Sequence, residues 1–322
     1  MATAEQIKSL IKSHYNSDKE KFHTLSLQLA AHEAKKGHSS LAHEIRDIID
    51  KNKQNKIQST ISFLPELGGL VITKTSVAKK ASLVINSKLK DRIIRIITEY
   101  RQQSKLKSFG LKHRRKILLA GPPGTGKTMT ANILAGELNI PIHTIQVDRL
   151  LTKFMGESSA KLRQIFELIE KSPGVYLFDE FDAIGGERTL ENDVGEMRRV
   201  LNSFLQFIEQ DTSDSLIIAA TNNPHMLDHA LFRRFDDVLF YERPENEERK
   251  QLMQNILGTF IANRFIWKKV LQESEGLSHG EISNACQDAI KQAILFDKEE
   301  VNANLLIQMI KERQGTLHIA KS

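Results

Sequence analysis

The sequence predicts an α/β protein: a five-stranded parallel sheet with flanking helices, a C-terminal α-helical lid and a small N-terminal helical module. Three observations carry this prediction. Five strand-length apolar runs, at 117–120 (ILLA), 142–147 (IHTIQV), 175–178 (VYLF), 216–220 (LIIAA) and 238–241 (VLFY), alternate with segments of helical period. Near-continuous apolar strands separated by helices form a parallel sheet covered on both faces. From Pro244 onward the strand-like runs fade, and helix-period segments remain over 245–258, 264–273, 279–296 and 302–313.

Ahead of the sheet, residues 1–51 read as a module of two or three short helices. Phe22, Leu25 and Leu29 recur at helical spacing, as do Leu41, Ile45, Ile48 and Ile49, with Gly37 between the two sets. Residues 52–80 read as a linker. Its start, in "KNKQNKIQST", is polar and weakly patterned, and Pro65 with Gly68-Gly69 predicts turns rather than a regular element over "FLPELGGLVITKTSVAKK". A helix follows over 86–102. The α/β domain is then expected over 81–243 and the helical lid over 244–322.

The chain has 322 residues, with 40% hydrophobic and 27% charged, which is ordinary for globular domains. Its one cysteine, Cys286, excludes an intrachain disulfide and fits a reducing cytosol. No apolar stretch approaches the ~18 residues of a membrane span, and the N-terminus lacks the apolar core of a signal peptide. A cytoplasmic location without membrane association is therefore expected. The net charge of +6 is uneven. Residues 1–116 carry 24 Lys/Arg against 10 Asp/Glu, a net +14, and residues 117–322 carry 22 against 30, a net −8. A basic front segment can meet nucleic acid or an acidic partner. Without interleaved aromatic residues or a binding motif, a solvated lysine-rich surface is the favoured reading.

The chemistry starts at the loop after the first run. Gly121-Pro122-Pro123-Gly124-Thr125-Gly126-Lys127-Thr128 fits G-x-x-x-x-G-K-[ST], with an apolar strand before it and a helix after it. Glycines allow backbone N–H groups to turn inward around phosphate oxygens, and the prolines stiffen the entry. The helix opening near Lys127 and Met129 aims its positive dipole end at the same phosphates. Lys127 supplies charge to the β- and γ-phosphates, and the Thr128 hydroxyl ligates Mg²⁺. The expected ligands are thus ATP and Mg²⁺.

Hydrolysis needs a second set of groups. The run VYLF leads straight into Asp179-Glu180, and burying unpaired carboxylates is costly without a function. Asp179 at the end of a parallel strand suits the Mg²⁺ shell, and Glu180 suits activation of the attacking water. Asn222, after LIIAAT, would hold that water if its strand lies between the other two. His225 and His229 stand at i, i+4, but no Cys or acidic pair completes a tetrahedral set, and a metal site there is not favoured.

These elements, in this order, resemble the AAA+ ATPases. Further stretches resemble the protein-remodelling branch of that family: "KFMGESSAKLRQIF" (153–166), "LDHALFRRFDDVLFYERP" (227–244) and "EGLSHGEISNACQDAI" (275–290). The resemblance spans roughly 80–315. It implies a homo-oligomeric, hexameric ring, with nucleotide between the sheet and the lid. It also implies that Arg233 and Arg234 are arginine fingers reaching a neighbour's γ-phosphate. The Pro-Gly pair that usually separates these arginines is absent here, which leaves open which one acts. Lys153, Phe154, Met155 and Gly156 match the pore loop that grips an extended protein substrate, although Phe154-Met155 could instead staple the following helix. The first fifty residues are similar to compact bacterial AAA ATPases that accompany subtilisin-like serine proteases in phage defence, which implies such a protease as a partner.

Two functions compete on this sequence: an ATP-driven protein remodeller or adaptor, and a nucleic-acid motor or switch using the basic front segment. The apolar Phe154-Met155 pair favours the first, because channels for nucleic acid present basic side chains. A scaffold that binds ATP without turnover is disfavoured by the joint presence of Lys127, Asp179, Glu180 and Asn222.

Overall fold

The apolar runs of the sequence become the strands of one sheet. The computed structural model describes residues 4–15, 19–36, 38, 41–42, 44–45, 67, 69–76, 78, 83–150, 157–185, 194–227, 229–298 and 300–319. The chain divides into two compact units, Met1–Glu66 and Leu67–Ser322.

In the first unit, α1 (Ala4–Tyr15) packs against α2 (Lys19–Lys35). The inward stripe of α2 is Ser26, Ala30 and Glu33, not the expected Phe22, Leu25 and Leu29. Phe22 is 40% exposed. Small side chains let two short helices approach closely, and the Ser26 hydroxyl is satisfied by donating to the Phe22 carbonyl at 2.8 Å. Glu33 is likewise buried, with His38 Nδ1 2.7 Å from its Oε2. Ile48 and Ile49 lie outside the described residues.

The second unit holds a six-stranded sheet built from β1 (Val71–Lys74), β2 (Lys116–Ala120), β3 (Ile142–Ile145), β4 (Val175–Phe178), β5 (Leu216–Thr221) and β6 (Asp237–Phe240). Their order is β1-β3-β4-β5-β2-β6. Five strands are parallel, as expected. The sixth, β1, corrects the prediction of turns and no regular element over 63–80. It pairs antiparallel with β3, Val71 opposite Ile145 and Lys74 opposite Ile142. Gly69 does stand in a turn, at φ 82°, but the β-branched run Val71-Ile72-Thr73 that follows is enough for an edge strand, where a Lys and an exposed Ile72 are tolerated.

Helices cover both faces. On one, α3 (Ser87–Arg101) and α5 (Lys127–Leu138) bury Ile93, Ile96, Ile133 and Leu134 against Ile117, Leu119, Leu177 and Ile218. Asn86 caps α3, its side chain accepting from the Leu89 amide at 2.8 Å. On the other face, α7 (Glu157–Lys171) and α9 (Val194–Gln210) meet the alternate strand residues through a phenylalanine cluster. Phe204 lies 5.2 Å from Phe178 and 4.7 Å from Phe181, ring centre to centre. That cluster seats the carboxyl end of β4, where the acidic pair emerges. Three short helices connect these elements: α4 (Gln103–Ser108), α6 (Val147–Leu150) and α8 (Asp182–Gly185). A fourth, α10 (His229–Phe232), precedes β6.

The C-terminal helices, α11 (Asn246–Leu257), α12 (Trp267–Glu273), α13 (His279–Leu295) and α14 (Ala303–Ile319), enclose their own apolar core of Met253, Val270, Ile282, Ala289, Leu306 and Ile310. Cys286 is buried there, and desolvation pushes its thiol up to about 12. Two consecutive residues tie the two cores together. Leu83 packs into the sheet core, and Val84 packs into the helical one.

Candidate nucleotide site

The loop between β2 and α5 is curled by glycines in conformations that L side chains avoid. Gly121 has φ 149° and Gly124 has φ 73°. A Cβ on Gly121 would fall 2.2 Å from the Tyr241 carbonyl oxygen, and one on Gly124 would fall 2.7 Å from Ser278 Oγ. Thr125 Oγ1 donates to the Pro122 carbonyl at 2.8 Å, closing the turn. Pro123 and Met129 are exposed on either side, and Gly126 precedes the first turn of α5. The loop opens onto the amino end of a twelve-residue helix, which favours an anion.

Lys127 is buried and folds back over this loop. Its Nζ donates to the carbonyls of Gly121 at 2.7 Å and Pro122 at 2.8 Å. Burial holds its ammonium below the usual lysine range, opposed by the nearby Asp179 and Asp182 carboxylates. Thr128 Oγ1 donates to Asp179 Oδ2 at 2.8 Å, joining the start of α5 to the end of β4. A hydroxyl and a carboxylate meeting at this spacing form the hard-oxygen donor pair that suits Mg²⁺. Both groups fit that ion, and the glycine cradle fits a triphosphate.

Glu180 stands in the left-handed region at φ 52°, which is rare for a side-chain-bearing residue. The conformation is imposed from both sides. The Glu180 amide donates to Asp179 Oδ1 at 3.0 Å, and the amide of the buried Phe181 donates to the Ala220 carbonyl at 2.8 Å. This turn leaves Glu180 exposed at the sheet edge while its backbone is fixed. Strand β5 lies between β4 and β2, so Asn222 follows a strand flanked by the acidic pair and the glycine loop. The Asn222 amide donates to Asp182 Oδ1 at 3.2 Å. The sheet order therefore brings Lys127, Thr128, Asp179, Glu180 and Asn222 to one edge.

Arg233 and Arg234 follow α10, and both are exposed. Lys153, Phe154, Met155 and Gly156 lie outside the described residues; α7 begins immediately after them at Glu157.

The stretch 117–243 matches the family model for the ATPase family associated with various cellular activities (AAA). The chain is also 33% identical over 314 residues to an uncharacterized AAA family ATPase, y4kL, of Sinorhizobium fredii, covering 94% of this chain and 92% of that protein. The chain belongs to the AAA family of ATPases. This AAA chain is further similar to a 26S proteasome regulatory subunit homolog of Methanocaldococcus jannaschii, 30% identical over 274 residues, covering 79% of this chain and 73% of that one. The ATP-dependent zinc metalloprotease FtsH of Helicobacter pylori is 29% identical over 236 residues, which is 70% of this chain and 37% of FtsH.

Several contacts of this AAA site were not foreseen from the sequence, where His279-Gly280 stands out only as a lid-sensor position without an arginine. Tyr241 lies against Gly121 and donates its hydroxyl to Thr130 Oγ1 at 2.7 Å; desolvation pushes its phenol upward. Gly280 donates its amide to the Gly124 carbonyl at 2.9 Å. Ser278 caps α13 with Glu281, an S-x-x-E pattern that was readable as a capping box. A small cleft beside Tyr241 is lined by Ile85, Asn86, Leu89, Arg243 and His279, among others. Burial lowers the His279 pKa, and both its ring nitrogens are shielded from solvent.

Proposed function

We propose that this ATPase is a protein remodeller that works as a homo-oligomeric ring and draws an extended polypeptide through its centre. The Thr128–Asp179 hydrogen bond carries the hydrolytic part, because it joins the phosphate loop to the acidic strand end. Lys127 would hold the β- and γ-phosphates, and Thr128 and Asp179 would hold Mg²⁺. The bound ion would offset phosphate charge during transfer. Glu180, set by its strained turn, would take the proton of the attacking water, and Asn222 would orient that water. An arginine of the next copy would complete the site, a contribution typically worth about 10³–10⁵ in rate.

Protein as substrate is supported by the names of the relatives, a proteasome regulatory subunit homolog and a metalloprotease, and by the Phe154-Met155 sequence before α7. A hexameric ring, and delivery of substrate to a subtilisin-like serine protease in phage defence, are the narrower forms of this proposal. The latter rests on the N-terminal resemblance alone.

Replacing Phe154 by Ala tests the threading step. An apolar grip fully buried on substrate contributes roughly 1.5–3 kcal/mol per side chain. The expected result is loss of substrate unfolding with ATP turnover and melting temperature retained. A destabilised variant that loses both activities together would mean that Phe154 staples α7 instead. Stimulation of turnover by single-stranded nucleic acid, and none by unfolded protein, would favour the motor alternative.

A further inference from the structure

Two arginines stand side by side ahead of Phe235, and the fold treats them differently. Arg234 is turned back on its own chain: its amide donates to the Leu231 carbonyl at 3.1 Å, and its Nη1 pairs with Glu209 Oε1. Glu209 lies in the last turn of α9, two positions before Asp211. Asp211 is fixed by a buried ion pair with Arg115. On the far side of Arg234, Phe235 is buried, and the Asp236 carboxylate accepts the amides of Arg115 and Lys116, each at 2.9 Å. The turn is thus tied at Arg234 to the end of α9 and at Asp236 to the first residue of β2 and the residue before it. Arg233 is exposed, and among the described residues its guanidinium takes part in no ion pair or hydrogen bond.

We propose that Arg233 alone acts as the finger toward the neighbouring copy's γ-phosphate, and that Arg234 is a positioning residue held by Glu209. This rests on the ring reading above. A guanidinium already paired with a carboxylate of its own chain must surrender that partner before it can bind phosphate. An unpaired one need not. With no Pro-Gly spacer, consecutive side chains leaving one turn point in different directions, so one chain position cannot serve both roles. The exposed Arg234–Glu209 pair adds little to folding. Its use is electrostatic: Arg234 neutralises a carboxylate that would otherwise repel a triphosphate docked against this turn, and it fixes the direction in which Arg233 leaves.

The test compares Arg233→Ala, Arg234→Ala, Glu209→Arg, the charge swap Glu209→Arg with Arg234→Glu, and the double Arg233→Ala, Arg234→Ala, each by ATP turnover, ATP affinity and melting temperature. Arg233→Ala is expected to slow turnover by about 10³-fold or more while ATP affinity stays near wild type. Arg234→Ala and Glu209→Arg are expected to slow it by roughly 10–100-fold, the scale of a misplaced reacting group, without lowering the melting temperature. The charge swap is expected to recover most of the turnover that either single change loses. A swap as slow as Arg233→Ala would show that position 234 must be arginine for chemistry, and would overturn the assignment. So would wild-type turnover in Arg233→Ala alone. Wild-type turnover in the double alanine variant would instead remove the finger reading itself.

Discussion

The amide of Gly280 donates to the carbonyl of Gly124 across 2.9 Å, so the first turn of α13 rests directly on the phosphate loop. Gly124 needs its lack of a side chain for this approach: a Cβ on it would fall 2.7 Å from Ser278 Oγ, in a φ of 73° that side-chain-bearing residues rarely adopt. Any rearrangement of the loop around phosphate therefore bears on the helical domain through this contact.

Gly124→Ala should accordingly weaken ATP binding, since a strained backbone position costs of order 1–3 kcal/mol. Calorimetric titration is expected to show a loss of about tenfold or more in affinity, with a smaller rise in melting temperature on adding ATP. Unchanged affinity would mean that the loop and the helical domain move independently.

Lys127→Ala and Glu180→Gln should separate binding from turnover. Lys127 places its charge inside the loop, whereas Glu180 stands at the strand end and touches no loop atom through its amide. The first change is expected to abolish ATP binding. The second is expected to keep binding and slow phosphate release by at least about 10²-fold, the scale of a lost general base. Wild-type turnover in Glu180→Gln would assign the base elsewhere.

The chemistry-bearing loop and acidic pair were legible because each is a local pattern: Gly121 to Thr128 must be contiguous to curl, and Asp179-Glu180 must follow a buried strand. The five parallel strands were legible for the same reason. Contacts between distant positions were not. Gly124 meets Ser278 only once the chain has closed, and Arg234 meets Glu209 only because α9 returns to the start of β5. The edge strand Val71–Lys74 was hidden by the Gly68-Gly69 pair beside it in the sequence, which reads as a turn signal. The α2 stripe was hidden because Ser26, Ala30 and Glu33 do not look like a core.

Stability should fall with acid through His143. This imidazole is fully buried between β1 and β4, with Nδ1 2.9 Å from Thr73 Oγ1 and its ring stacked on Tyr176 at 4.5 Å. Desolvation lowers it from the ordinary 6.5 to about 4. Neutral in the fold and protonated when unfolded, it favours folding above pH 6.5, and that contribution is lost as pH falls from 6.5 to about 4. The shift corresponds to as much as about 3 kcal/mol at 1.36 kcal/mol per unit. Urea unfolding of wild type and His143→Phe from pH 7.5 to 4.5 should show the steeper loss in wild type; parallel curves would exclude His143 as the source.

The central claim is that one copy's glycine loop and acidic strand end hydrolyse ATP with an arginine supplied by the next copy. Mixing Lys127→Ala chains with Arg233→Ala, Arg234→Ala chains tests it most directly. Each population alone should be nearly inactive. In a randomly mixed ring with head-to-tail contacts, about one interface in four joins an intact loop to intact arginines, so turnover should recover to about that fraction of wild type. Mixed assemblies that form but recover no turnover would place the arginines and the phosphate loop within a single chain, and would contradict the account.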